Sequence, residues 1–372
     1  MSQLNSLKFS DVLAIGPLVG LPSTTWVGND IADHLTKMNI KVVKFNNFNC
    51  DIDADYIIVV KQIPNYAWLA DKVKRNIKVL YAPVDIFHSY YKFRQYKYRL
   101  KMFAGFLVHN KAVENLLRNT SKAPCFFIEH YLKYQLSERN VSVKNRELLW
   151  IGHLEYIPSL LNFLKTADIP LNVRALSDLN NLSSFENKLS KQLSKLDIKY
   201  TLVSETTDIV YIAGICIEQW TAEKQETLMK SCVAAFDTKM DSFAHNLKPP
   251  TKAQQFIYNK IPLACSEHSY SFKYFENLGL KLVNLNELDI LTSDEYCKLV
   301  SDFCEKEKWR VSIDNVSKSY IDACLNSSLP NITFFCYYRI MDLICGPIAF
   351  LLKISGKMTL FLKFGSPKKC DF

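Results

Sequence analysis

Short apolar runs recur along this chain, and amphipathic stretches fill most of the intervals between them. Val12-Leu-Ala-Ile-Gly-Pro reads as a strand ending in a glycine turn, and helical spacing follows from Trp26 to Met38. Further strands are predicted at Ile40–Phe45, Tyr56–Val60, Ile77–Tyr81, Phe106–His109 and Cys125–Ile128. Strands that are nearly all apolar and alternate with helices predict a parallel sheet covered on both faces. The stretch from Tyr134 to Arg146 is polar and reads as a linker. The pattern then restarts at Leu148-Leu-Trp-Ile-Gly, with later strands at Leu171–Ala175, Tyr200–Val203, Val233–Phe236 and Pro262–Cys265. The chain therefore reads as α/β, with two tandem Rossmann-like, doubly wound domains facing across a cleft. The expected bounds are 1–140 and 147–326, with a C-terminal segment at 327–372.

That last segment has a different character. Phe334-Phe-Cys-Tyr-Tyr and the run Leu343–Leu352 lead into a tail carrying Lys353, Lys357, Lys363, Lys368 and Lys369. The run is shorter than the roughly 20 apolar residues a spanning helix needs. Arg339, Asp342 and the internal Gly346-Pro347 also argue against a span. Two readings remain: a segment lying on an anionic membrane surface, or a terminal helix packed on the domains.

Composition narrows the class. Apolar residues make up 48% of 372, which excludes global disorder and allows two large cores. A net charge of +9 favours acidic partners, but the lysines are scattered and do not choose among phosphates, nucleotides, anionic lipid and nucleic acid. The 11 cysteines include no C-x-x-C pair, against a disulfide framework or a zinc site. The polar opening from Met1 to Ser10 predicts no secretory signal, and reduced thiols imply the cytoplasm, on or off the inner face of the cell membrane.

Candidate chemistry belongs at the carboxyl ends of the strands. Lys248-Pro-Pro-Thr-Lys252 runs into a helix predicted to take Pro249 and Pro250 in its first turn. Lys248 and Lys252 thus place two cations at the end of a helix that prefers an anion. A bound phosphate would neutralise them, with Thr251 adding a hydroxyl; plain solvation of both lysines is the competing reading. The basic and aromatic stretch Tyr90–Lys101 fits single-stranded nucleic acid, a membrane-facing helix, or a solvated helix with half-buried tyrosines. Nucleic acid is the least expected of these partners. No Asp-x-Asp pair stands out as a metal site, since Asp51 and Asp53 precede a strand and read as solvated.

The order Trp150-Ile-Gly-His, Ile217-Glu-Gln-Trp, Leu228–Asp237, Lys248–Lys252 and Lys260-Ile-Pro-Leu-Ala resembles the donor half of GT-B glycosyltransferases, in particular bacterial family-4-like enzymes. The resemblance covers Leu148 to about Gly279, and the first half is similar to an acceptor domain only in outline. It implies a hexosyltransferase-type enzyme that needs no metal and no cofactor. Its substrate would be a nucleotide-diphosphate sugar, and its acceptor a glycan or a lipid-linked glycan. It implies diphosphate contacts from Lys248, Lys252, Thr251 and His153, the last at a place where the resembled families often carry arginine. Gly16, Gly20 and Ser23 resemble the glycine loop that approaches the donor from the acceptor domain; an ordinary loop with a Ser/Thr cap fits them too. His245 and Gln255 would line the donor pocket. Asp85 and His88 follow a strand end, where either group would deprotonate an acceptor hydroxyl in an inverting transfer; a capping Asp and a solvated His are the alternative. His109 and His130 also end strands and read as structural. The sequence departs from the family at three places. Retaining members carry two glutamates where this chain has Leu247 and Gln255, and Lys260 replaces a glycine before the strand. A non-catalytic nucleotide-sugar or glycan-binding relative, or a sugar-nucleotide epimerase on the same plan, therefore stands beside the transferase reading.

Overall fold

The protein is seen here as a computed structural model that describes residues 11–139, 146–167, 172–239 and 241–364. Met1–Ser10, residues 140–145 of the expected linker, Leu171, and Lys368 and Lys369 lie outside the described residues. The chain forms two compact units. The first takes the described chain up to Tyr131, the loop Ser242–Pro249 and the described residues from Trp309 on. The second takes Leu132–Asp241 and Pro250–Lys308.

The first unit starts with β1 (Leu13–Gly16), a short α1 (Pro22–Thr24), a wide π-helical turn (Thr25–Asn29) and α2 (Asp30–Lys37). The single helix expected from Trp26 to Met38 is thus interrupted at its start. Gly28 sits in that turn, where an added Cβ would lie 2.6 Å from the Leu18 side chain. Then come β2 (Val42–Lys44), β3 (Tyr56–Val60), α3 (Tyr66–Lys74), β4 (Lys78–Ala82), α4 (Tyr90–Gln95), α5 (Lys97–Leu100), β5 (Gly105–Val108), α6 (Lys111–Arg118) and β6 (Cys125–Phe127). All six strands are parallel, in the order β2-β1-β3-β4-β5-β6. Asn65, Ser89 and Asn110 cap α3, α4 and α6, each accepting a backbone N–H of the first turn that would otherwise be unpaired.

The second unit contains β7 (Glu147–Ile151), α7 (Ile157–Thr166), β8 (Asn172–Ser177), α8 (Leu182–Ser194), β9 (Leu202–Thr206), β10 (Ile209–Ile212), β11 (Ile215–Gln219), α9 (Ala222–Ser231) and β12 (Ala234–Asp237). The chain then visits the first unit through α10 (Phe243–Asn246). It returns with α11 (Thr251–Ile257), β13 (Leu263–Cys265), α12 (Tyr270–Asn277), β14 (Val283–Asn284) and α13 (Asp294–Glu307). The strand order is β14-β13-β12-β7-β8-β11-β10-β9. β9, β10 and β11 pair antiparallel, unlike the all-parallel sheet expected. The cause is local turn chemistry. Ala213 and Gly214 both have positive φ, at 50° and 82°, which makes the tight reversal that joins β10 to β11. Pro249 and Pro250 precede α11 rather than opening it, because a proline disfavours helical geometry in the residue before it.

Two helices complete the first unit, α14 (Ile313–Leu325) and α15 (Phe335–Phe364). α14 lays Val316, Tyr320, Ile321 and Cys324 on the sheet face formed by Leu13, Ile15, Ile58 and Val60, beside α2. On the opposite face Ile57, Val59, Val79, Tyr81 and Phe106 form a second core, against which Phe335 and Tyr338 of α15 pack. Both faces of the parallel sheet are therefore covered, as its apolar strands require.

Candidate functional site

In the second unit, chain order makes β7 a switch point. The chain leaves β7 toward β8 and later returns on its other side as β12. Open parallel sheets take ligands beyond the carboxyl ends of such a strand pair. Asp237 ends β12 there, fully buried. The Lys252 ammonium lies 2.7 Å from its Oδ1 and donates to the Ile151 carbonyl at 2.6 Å. Lys239 approaches Oδ2 at 3.2 Å. Burial alone would push the Asp237 carboxyl up, but the two lysines overcome it and hold the group at about 2. Asp237 thus stays ionised at neutral pH, and the cluster carries two ammonium groups on one carboxylate.

The neighbouring strand end is shaped by Trp150, which is fully buried and donates its indole N–H to Thr238 Oγ1 at 3.1 Å. Lys252 Nζ lies 5.9 Å from the centre of its ring. An added Cβ on Gly152 would sit 2.2 Å from that indole, so only glycine fits beside it. His153 follows, exposed, and its Nδ1 accepts the Glu155 N–H at 3.3 Å, capping a short helical turn. Thr251 opens α11. Gln255 is buried, and its Oε1 accepts the backbone N–H groups of Lys133 and Tyr134, both at 3.1 Å.

In the first unit the corresponding strand ends are those of β1 and β3. Gly16 ends β1, where a Cβ would lie 2.2 Å from the Phe45 carbonyl oxygen. Gly20 has a φ of +72°. Ser23 Oγ accepts from Lys61, directly after β3, at 3.1 Å. Beyond β4, Asp85 adopts a φ of 48° and is exposed, as is His88. A cavity of about 20 Å³ brings Asp85, His88, Phe87, Val113, Leu247 and Lys248 together. The loop that carries Lys248 is held there by Asn110, whose side-chain amide donates to the Asn246 and Lys248 carbonyls at 3.0 and 2.8 Å. Phe243 and Leu247 of the same loop pack on the core, and His245 is buried on α10. The structure therefore unites Asp85, His88 and Lys248 in one unit and places Lys252, Thr251, His153 and Gln255 in the other.

His109 and His130 form a buried pair, ring centres 4.2 Å apart. The His109 Nδ1–H donates to the Ile128 carbonyl at 2.7 Å. Burial lowers His109 from the ordinary 6.5 to about 4, against the opposing pull of that carbonyl and Asp85. Burial and His109 together push His130 well below its ordinary value. A buried neutral His takes up its proton later than the unfolded chain does. Stability is thus complete above pH 6.5 and falls as the pH drops toward 4, by about 3 kcal/mol for His109. In urea melts between these limits, His109→Phe is expected to lose less stability on acidification than the parent chain.

Asp237, Lys239 and Lys61 are the site residues that sequence reasoning passed over. Lys61 follows a predicted strand by one position and Lys239 by three, the signal that would have found them. Among the described residues no group of three or more His, Cys, Asp or Glu is placed to hold a metal ion.

Two Rossmann-like units in tandem, each built on a doubly wound sheet, are the plan called GT-B. No protein-family profile matches the chain, and no curated protein matches it in sequence. Solved structures do match its fold. One is a glycosyltransferase from Rickettsia africae ESF-5, at a TM-score of 0.54 and 11% identity, covering 85% of this chain and 99% of that one. Another is AviGT4, a glycosyltransferase involved in avilamycin A biosynthesis, at a TM-score of 0.50 and 8% identity, covering 85% and 97%.

Proposed function

We propose that the protein is a metal-independent, hexosyltransferase-type glycosyltransferase. It moves a sugar from a nucleotide-diphosphate sugar to a glycan or lipid-linked acceptor, in the cytoplasm and against the inner face of the cell membrane. The cluster of Lys239, Asp237 and Lys252 carries this reading. Two ammonium groups meet on one carboxylate, at the strand ends where a parallel sheet takes its ligand. A nucleoside diphosphate gains negative charge as its bond to the sugar breaks. A cation already fixed in place stabilises that charge without reorganising at the moment of reaction. Thr251 and His153 of the same unit are further diphosphate contacts in this reading.

Asp85 or His88 would take the proton of the acceptor hydroxyl. Neither position that carries a glutamate in retaining relatives offers a carboxylate here. Leu247 packs on the core, and the Gln255 carbonyl oxygen already accepts from two backbone groups. That favours inversion. It equally favours a second reading, a relative that binds nucleotide sugar without turning it over.

A thermal-shift screen of UDP, GDP and other nucleoside diphosphates tests the shared part. At least one is expected to raise the melting temperature, and no response to any of them overturns both readings. Donor hydrolysis that persists in EDTA supports the transferase; binding with no hydrolysis or transfer leaves the second.

A further inference from the structure

The outer face of α15 has no partner among the described residues. Phe335, Tyr338, Asp342 and Cys345 recur at helical spacing and turn toward the unit. The Tyr66 hydroxyl donates to the Phe335 carbonyl at 2.6 Å, Tyr338 lies 5.9 Å from Tyr98, and Arg99 holds the buried Asp342 at 3.0 Å. The opposite side repeats Ile340, Ile344, Ile348 and Leu351, all exposed. Leu343 is 72% exposed and Phe350 63%. So continuous an apolar stripe is unlike the scattered apolar residues of an ordinary protein surface.

The stripe has charged company. Lys92, Arg94, Lys97 and Lys101 run along α4 and α5, the helices on which α15 rests. Lys101 lies 5.2 Å from the centre of the Tyr338 ring, and Lys97 and Arg94 act electrostatically on Cys345. The cations thus lie beside α15 from Tyr338 to Cys345. Among the described residues no carboxylate pairs with these four, since Arg99 already takes Asp342. The sequence places Lys353, Lys357 and Lys363 further along the same helix. Among the described residues no helix is long and apolar enough to cross a membrane.

We propose that this face docks on an anionic lipid surface, with α15 lying in the interface and the cations of α4 and α5 meeting lipid phosphates. An apolar stripe flanked by unpaired cations is complementary to such a surface in both polarity and charge. The inference deepens the membrane part of the proposed function by naming the docking face. It does not depend on the sugar chemistry.

The test is sedimentation of the full chain with vesicles of phosphatidylcholine alone and of phosphatidylcholine mixed with phosphatidylglycerol. Binding to the mixed vesicles, at least tenfold above that to phosphatidylcholine and weakened by salt, is expected. Two variants should each reduce it at least tenfold. One combines Arg94→Glu, Lys97→Glu and Lys101→Glu, and the other combines Ile340→Ser, Leu343→Ser and Leu351→Ser. The second changes only exposed positions, so its melting temperature should stay that of the parent. Equal binding to both vesicle types, no binding to either, or variants that bind like the parent would overturn the proposal. So would a dimer in light scattering that the serine variant dissolves, because a second copy would then be the occupant. The nucleotide response is read on the same samples: losing lipid binding while keeping that response separates the docking face from the sugar-nucleotide reading.

Discussion

Lys252→Met is expected to weaken nucleoside-diphosphate binding by about 1.5–3 kcal/mol, the range for a hydrogen bond to a charged group. Methionine keeps the length and apolar stem of the side chain, so the loss reports the ammonium. Asp237 would retain Lys239 at 3.2 Å, but the cluster would lose one of its two cations. The Ile151 carbonyl would also lose the donor it now has at 2.6 Å. Titration calorimetry with the nucleotide found in the thermal screen measures the effect. Lys239→Met should weaken binding in the same direction, because it removes the other cation of the same carboxylate. Undiminished affinity in both variants would mean that the cluster is structural and that the diphosphate is held elsewhere.

Tyr320→Ala is expected to destabilise the first unit by about 3–5 kcal/mol, the usual cost of truncating a fully buried aromatic ring. Tyr320 is 1% exposed and anchors α14 in the core built on β1, β3 and α2. Its hydroxyl donates to the Val27 carbonyl at 2.9 Å, within the wide turn before α2. Tyr320→Phe should therefore cost less, about 1–2 kcal/mol, because it leaves that carbonyl unpaired but fills the same space. Urea unfolding followed by tyrosine and tryptophan fluorescence separates the two variants. The transition is expected to be broad or two-phased, since the chain holds two cores. A loss below about 1 kcal/mol in Tyr320→Ala would show that α14 is not needed to cover the sheet.

Much of the fold is legible in the chain. The strands β1, β3 and β7 fall within a residue of their apolar runs, because a strand buried on both faces must be apolar at every position. Lys260 is legible in a different way. The resembled family has glycine there, and the structure puts Lys260 at a φ of 58°, the backbone region that glycine adopts most easily. The site was less legible. Gln255 looks like a residue on a helix surface, and its partners at Lys133 and Tyr134 lie more than 120 positions away. Asp237 looks like the polar end of a strand; Lys239 lies two positions on, but Lys252 reaches it from α11, 15 positions away.

The amino-acid sequence by itself determined most strands of the parallel sheets, and that two doubly wound sheets follow one another. Those properties depend on side-chain periodicity over five to ten neighbours, and on glycine and proline at turns. Only the tertiary structure decided which segments share a core: that α10, α14 and α15 join the first unit, and that Lys248 and Lys252 belong to different units. It also decided that Asp237 gathers two ammonium groups and that α15 keeps an apolar face open. Contacts between residues far apart in the chain depend on complementary shape and charge across the whole fold, and no local pattern carries that information.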